Sequence, residues 1–325
     1  MTTRRKFLSQ LGITATSPAI LFSQGKEKQK EHSRWEMIFN SDDTKPALCK
    51  PTPKLWSDST ITAAWIGHAT VLINFFGTTI ITDPVFAECV GINLFGFLKI
   101  GPKRLVAPAM TIDELPKIDL ILLSHAHFDH LDISSLKKFD ENIPVVMAKN
   151  TADVLQNLDF KKVKELDWGE KFFVAGLEIE AHRVKHFGWR YPWETDRSRG
   201  NMEGRSFSAY LISKNGKHIF FGGDTAYQEY FKPIGERNIE IELAIMPIGA
   251  YNPWISVHAN PEQAVQMAQH LNAKNILPIH WHTYTLSSEP IAEPLERLKD
   301  ASLQSNISIA LETIGQEWKW KENGA

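Results

Sequence analysis

Between residues 61 and 82 the apolar side chains fall into three short blocks, 61–66, 70–75 and 78–82, punctuated by Gly67 and Gly77. Blocks of this length, rich in Ile, Val, Thr and Phe and bounded by glycine, predict three consecutive strands in hairpin succession. Residues 119–124 enclose a continuous apolar run, the pattern of a strand covered on both faces. Further strands are expected at 145–148, 177–185, 207–212, 218–221, 243–247, 275–279 and 307–312. Helices enter late. Asn260 is a good N-cap, Pro261 suits a first helical turn and Gln263 closes a capping box, which predicts a helix over 261–271. Ala264, Val265, Ala268 and Leu271 give that helix its buried stripe, and a second helix is expected over 290–303. Hairpins first and helices interleaved later fit an α/β fold of two mixed sheets sandwiched by helices better than a doubly wound sheet.

The chain has 325 residues, 43% hydrophobic and 23% charged, enough to bury a full core. Its net charge of −2 comes from 36 basic and 38 acidic side chains, so there is no cationic field to gather nucleic acid. No run of apolar residues is long enough for an ordinary transmembrane helix. Cys49 and Cys89 are too few for a disulfide framework or a thiolate zinc cluster. The 12 histidines exceed what packing calls for. At the amino terminus Thr3-Arg4-Arg5-Lys6-Phe7-Leu8 is a twin-arginine pattern followed by an apolar run to Phe22 that Pro18 interrupts. That order reads as an export signal to the periplasm, the alternative being a disordered basic end on a cytoplasmic protein. The expected organisation is a signal segment at 1–24, a lead and linker at 25–58, and one folded domain at 59–320.

The chemistry concentrates in Ser124-His125-Ala126-His127-Phe128-Asp129-His130-Leu131-Asp132, directly after the apolar run. In extended backbone, residues two apart share a face, so His125 and His127 are placed to grip one ion, and a turn carries Asp129 and His130 toward a neighbour. Imidazole and carboxylate without thiolate is the donor set of a catalytic metal site. Other ligand candidates stand at other strand ends. Asp224 follows Gly222-Gly223, glycines that permit a sharp turn. His280 and His282 end one apolar run and His182 and His186 another, and the spacing alone does not choose within either pair.

With Trp65-Ile66-Gly67-His68, Thr82-Asp83-Pro84, Gly101-Pro102-Lys103-Arg104, Glu165-Leu166-Asp167-Trp168, Gly223-Asp224-Thr225 and Ile279-His280-Trp281, the chain resembles the metallo-β-lactamase superfamily, whose metal signature is His-x-His-x-Asp-His. Within it, the likeness is to the phospholipase D family that hydrolyses N-acylphosphatidylethanolamines. The resemblance implies a four-layered αββα sandwich holding two Zn2+ per chain. It implies that His125, His127 and His186 bind the first, that Asp129, His130 and His280 bind the second, and that Asp224 bridges them. It further implies that His258 lines the active site, with Asp129 and His258 as catalytic groups, and that Asp83 orients a metal-binding histidine. His68 is assigned a supporting place near the metals or in its turn. His32, His182, His218, His270 and His282 are read as structural.

The implied activity is phosphodiester hydrolysis yielding N-acylethanolamine and phosphatidate, with a phospholipid or other small phosphodiester as partner and a peripheral membrane contact. Alternatives are another hydrolase on the same fold, such as a lactonase of the ascorbate-phosphate type or another phosphoesterase, and more distantly a metal-binding module without turnover. Residues 86–100, apolar at Val90, Ile92, Leu94, Phe95, Phe97 and Leu98, are read either as a lip against a bilayer or acyl chain, or as an insertion packed on the domain. Residues 189–201, rich in aromatic and charged side chains, are expected at the other rim.

Overall fold

Strands that are apolar at every position, and not at alternate ones, need cover on both faces, and the strands at 120–123 and 145–148 are of that kind. A computed structural model describes residues 43–94, 98–195 and 204–321, with the backbone alone at 93, 94 and 98. The twin-arginine segment, His32, Phe95, Phe97 and residues 196–201 lie outside the described residues, as do the side chains of Leu94 and Leu98. The described chain lies in one compact unit, residues 31–325.

The chain opens with β1 (Ile61–Gly67), β2 (Thr70–Phe75) and β3 (Thr78–Thr82), followed by a short hairpin of β4 (Ile92–Leu94) and β5 (Leu98–Ile100). Next come β6 (Leu120–Leu123), α1 (Ile133–Leu136), β7 (Val145–Ala148) and β8 (Val163–Leu166). The second half runs through β9 (Lys171–Val174), β10 (Leu177–Arg183), β11 (Ser208–Lys214), β12 (Lys217–Phe221) and α2 (Lys232–Gly235). It closes with β13 (Ile241–Pro247), α3 (Pro261–His270), β14 (Asn275–Ile279), α4 (Glu293–Leu303), β15 (Ser308–Ile309) and β16 (Glu317–Lys319).

These strands make two 7-stranded sheets, ordered β16-β1-β2-β3-β6-β7-β8 and β15-β14-β13-β12-β11-β10-β9. The sheets repeat one plan. In the first, β16, β1, β2 and β3 pair antiparallel and β3, β6, β7 and β8 parallel. In the second, β9 to β12 pair antiparallel and β12 to β15 parallel. Both sheets contribute to one apolar core, and every residue of β1, β6 and β13 is buried. This is the αββα sandwich expected from the sequence. Trp65 of β1 stacks on Trp281 at 5.5 Å, and Trp320 Nε1 donates to the buried carboxylate of Glu242 on β13, so side chains tie one sheet to the other.

The predicted capping box on α3 is present, Gln263 N donating to Asn260 Oδ1 at 2.9 Å and Asn260 N to Gln263 Oε1 at 3.2 Å, and the predicted stripe is buried. Three expected boundaries shift. β10 stops at Arg183 because Lys185 N turns to Thr225 Oγ1. α4 starts at Glu293, not 290, with Pro294 in its first turn. The strand expected at 307–312 pairs only at Ser308–Ile309, because the N–H groups of Glu312 and Thr313 bond the Gln316 side chain instead of a ladder. Of the stretch at 86–100, Val90 is buried beside Val85 and Tyr284, and Phe86 packs against the main core. These two positions behave as an insertion packed on the domain.

Candidate metal centre

Where parallel strands end, their following loops splay apart and leave a crevice beyond the carboxyl edge of the sheet. Both sheets contribute such ends to one place. Asp83 follows β3 and residues 124–132 follow β6, neighbouring parallel strands of the first sheet. Asp224 lies beyond β12, residues 248–258 beyond β13 and His280 directly after β14, parallel neighbours in the second. His186 follows β10, and His68 sits in the turn between β1 and β2. Gly223 makes the approach possible: its φ is +55°, and a Cβ there would lie 2.7 Å from Ser124 Cβ. Four other residues here adopt the left-handed backbone that L side chains avoid, His68 (φ 54°), Asp83 (φ 32°), Ala250 (φ 61°) and His280 (φ 62°). Such strain persists only where the surroundings hold it.

The side chains form two adjoining sets. In one, His127 Nδ1 lies 2.8 Å from His125 Nε2 and 3.2 Å from His186 Nε2. In the other, Asp129 Oδ2 lies 2.9 Å from His68 Nε2, 3.3 Å from His280 Nε2 and 3.6 Å from His130 Nε2. Asp224 Oδ2 stands between them, 3.0 Å from His280 Nε2 and 3.1 Å from His130 Nε2, and 4.0 Å from both His125 Nε2 and His186 Nε2. His258 Nε2 is 3.4 Å from the same oxygen. The seven expected ligands and His258 thus converge, although they span most of the domain. His68, expected only to support, touches Asp129 directly.

Four of the rings are anchored from behind through Nδ1. His130 donates to Asp83 Oδ2 at 2.7 Å, His186 to Val257 O at 2.9 Å and His258 to Ala250 O at 2.8 Å. His125 Nδ1 lies 2.9 Å from Ser124 Oγ, whose own proton goes to Asp83. Carbonyl and carboxylate oxygens only accept, so in each neutral ring the proton sits on Nδ1 and the Nε2 lone pair faces the centre. Asp83, with no exposed surface, therefore governs His130 directly and His125 through Ser124, as well as accepting from Ser124 N. Ser124 is a functional residue that sequence reasoning passed over, although it stands at the head of the motif. Arg190 is another: its guanidinium is buried over the Phe128 ring and donates to Ala126 O and Leu131 O, the carbonyls that bracket the ligand turn.

The electrostatics differ between the sets. Burial and mutual repulsion hold His125 and His186 well below the ordinary imidazole range, and burial lowers His127 to about 4. Three neutral imidazoles then turn lone pairs on one another at close range, an arrangement that a cation relieves. Burial alone would lower His130 and His280, but Asp224 and Asp129 outweigh it, lifting His130 well above the usual range and His280 to about 9. Burial works to raise both carboxylates, and the surrounding imidazoles reverse it, holding Asp129 and Asp224 well below theirs. Asp224 Oδ1 and the Nδ1 atoms of His68 and His280 are buried without a hydrogen-bond partner among the described residues. Neutral nitrogens, ionised oxygens and no thiolate make a donor set that fits a metal cation.

Among the described residues, the four histidines read as structural stay apart. His182 lies against Glu180 and Phe220, His218 bonds Ser213, His270 neighbours Tyr227, and His282 stacks on Trp281. Cys49 and Cys89 are both free.

Comparison with known proteins matches this geometry. Residues 78–281 match the family model described as beta-lactamase superfamily domain. The chain is 33% identical over 276 residues to the N-acyl-phosphatidylethanolamine-hydrolyzing phospholipase D 1 of Caenorhabditis elegans, covering 80% of this chain and 74% of that one. It is 30% identical over 314 residues to an uncharacterized protein of Mycobacterium tuberculosis, covering 92% of this chain and 80% of the relative. Among solved structures, the metallo hydrolase Igni18 of Ignicoccus hospitalis superposes with a TM-score of 0.60 at 19% identity, over 81% of this chain and 100% of that one. The chain belongs to the metallo-β-lactamase superfamily and is a metal-dependent hydrolase of that fold.

Proposed function

We propose that this hydrolase is a dinuclear zinc phosphodiesterase of the phospholipase D type, acting on N-acylphosphatidylethanolamine to give N-acylethanolamine and phosphatidate. The observation that carries the reading is the position of Asp224 Oδ2 between the two ligand sets, within 4.0 Å of His125 and His186 and within 3.1 Å of His130 and His280. The likeness to the nematode phospholipase over most of both chains supplies the substrate class. His125, His127 and His186 would hold one ion and Asp129, His130 and His280 the other, with Asp224 a ligand available to either set. When bound, paired zinc ions supply Lewis acidity, offsetting charge on phosphoryl oxygens and making a nearby water more acidic.

The protein's own groups do the rest. Asp129 keeps its charge and turns Oδ2 inward, held by His68, which places a proton acceptor beside the ion-binding atoms. His258 is only partly buried and presents Nε2 3.4 Å from Asp224 Oδ2, placed to bond a phosphoryl oxygen or the leaving group. Trp254 and Ile255, 45% and 44% exposed, project from the same loop, and the Phe187 ring lies tilted against His127 with centroids 4.6 Å apart. Apolar groups around a charged centre suit a substrate with one ionic group and hydrocarbon arms.

The test is turnover of N-acylphosphatidylethanolamine in mixed micelles by protein of measured zinc content. Release of N-acylethanolamine and phosphatidate, abolished by chelation and restored by zinc, is the expected result. Hydrolysis of a lactone or a simple phosphodiester without release from the lipid would leave the hydrolase and replace its substrate.

A further inference from the structure

A carbonyl fixes an imidazole only as firmly as its own peptide is fixed. The acceptor for His258 Nδ1 is Ala250 O, and the N–H on the other side of that planar peptide belongs to Tyr251. That N–H donates to Glu289 Oε1 at 3.2 Å, while Asn252 N donates to Glu289 Oε2 at 3.0 Å. Glu289 is 6% exposed. Its neighbour Ser288 bonds Asn252 O through both N (2.9 Å) and Oγ (3.1 Å), and Tyr251 Oη reaches Glu293 at 2.7 Å. The segment that carries the acceptor of His258 is thus gripped at residues 251–252 from the chain leading into α4, while its tip at Trp254 and Ile255 stands in solvent.

We propose that Glu289 is a positioning residue for His258, acting through the single peptide that joins Ala250 to Tyr251. The carboxylate accepts the peptide N–H, and trans geometry sends the C=O of the same unit the opposite way, into His258. A charge-assisted bond at one end polarises the amide and strengthens its oxygen as an acceptor at the other. The result is a carboxylate–peptide–imidazole series that keeps the His258 proton on Nδ1 and Nε2 turned to the centre. It also holds Ala250 in its left-handed conformation, φ 61°. The inference rests on the reading that His258 faces the substrate.

Three measurements test it on the full chain loaded with zinc. In imidazole 15N spectra, the Nδ1 proton of His258, slow to exchange in the parent, exchanges fast in Glu289→Ala and at an intermediate rate in Glu289→Gln, whose single amide oxygen accepts from only one of Tyr251 N and Asn252 N. With N-acylphosphatidylethanolamine or bis(4-nitrophenyl) phosphate, Glu289→Ala lowers kcat by about 10–100-fold at unchanged zinc content, and Glu289→Gln recovers part of the loss. In the His258→Ala background the same substitution costs less than about threefold, because positioning has nothing left to position. Zinc lost in step with activity, an equal penalty in both backgrounds, or an undisturbed His258 proton in Glu289→Ala would each overturn the proposal. If His258→Ala alone leaves kcat unchanged, the role given to His258 fails, and the exchange measurement still decides the series. Should Glu289→Ala not fold, the Gln variant carries both readouts: a small kcat loss that disappears in the His258→Ala background supports the series, and a loss that persists there overturns it.

Discussion

The carboxylate of Asp83 lies 2.7 Å from Nδ1 of His130, 47 residues away, across the parallel pair β3 and β6. Its other oxygen receives the N–H of Ser124, and Ser124 Oγ in turn meets His125. One buried acid thus sets the proton position in a ring from each half of the centre.

Asp83→Asn should lower metal affinity by about 10–100-fold, the usual effect of losing a group that orients a ligand from behind. The amide cannot accept from His130 and Ser124 with both atoms, so one ring loses its fixed tautomer. Ser124→Ala should cost less, since its hydroxyl links Asp83 to one ring, His125, and leaves the Asp83 bond to His130 in place. Competition against a chromophoric chelator reads both effects, and equal losses in the two variants would contradict the shared-acid reading.

Gly249→Ala should remove one metal ion and spare the other. A Cβ at Gly249 would sit 2.4 Å from His280 O and 2.9 Å from Trp281 Cβ, both backed by the buried Trp65 stack, so His280 must move. His125, His127 and His186 do not depend on that contact. On the proposed dinuclear reading, metal analysis after dialysis falls from about two ions per chain toward one. Loss of both together would mean that the sets are not separable.

Legibility in the sequence followed burial. The interior strands β1, β2, β3, β6, β7, β13 and β14 announced themselves as apolar runs because both faces are covered. Besides the short hairpin of β4 and β5, the strands without a sequence signal, β8, β9 and β16, are sheet edges with exposed positions such as Val163 and Phe173, and β15, the fourth edge, is shorter than the expected 307–312. An edge residue faces water on one side, which erases the hydrophobic pattern that marks a strand. The metal site was legible for a related reason: its ligands stand at the ends of interior strands, where a polar residue after an apolar run is conspicuous. Spacing alone left His186 against His182 and His280 against His282 undecided, because the side chain's direction is set by the turn after the strand. His280 and His282 both have positive φ, which no periodicity foretells. Arg190 and Glu289 were invisible because each works on backbone atoms distant in sequence.

Arg190→Met should destabilise the metal-free protein. The guanidinium donates to Ala126 O at 3.1 Å and Leu131 O at 2.7 Å and lies 4.1 Å from the centroid of the Phe128 ring. Burial pulls it down to about 10, still charged at neutral pH. Methionine fills the space and leaves two inward carbonyls unsatisfied, a cost of about 1–3 kcal/mol each. Thermal or urea unfolding without metal measures this. Arg190→Lys should recover only part, because an ammonium lacks the planar fork that stacks on Phe128. A Met variant as stable as the parent would deny Arg190 its bracing role.

Metal binding should release protons unequally. In the metal-free protein His130 and His280 are raised, His280 to about 9, so both are largely charged at pH 7, whereas His125, His127 and His186 are lowered and stay neutral. An ion entering among Asp129, His130 and His280 must displace protons, and one entering among the three neutral imidazoles need not. The affinity of the former set should therefore climb as pH rises toward about 9, while that of the latter stays nearly flat above pH 6. The sign for folding runs the other way. A raised imidazole stabilises the metal-free fold below its unfolded value near 6.5, and that contribution disappears as pH rises through about 9. Zinc-loaded protein, whose rings hold no such proton, should not share this loss. Calorimetric titration in buffers of different ionisation enthalpy counts the protons for each ion. Release of one to two protons with one ion and almost none with the other is the expected pattern. Equal release by both would mean that the charge of Asp129 and Asp224 is spread over all five rings and not confined to His130 and His280.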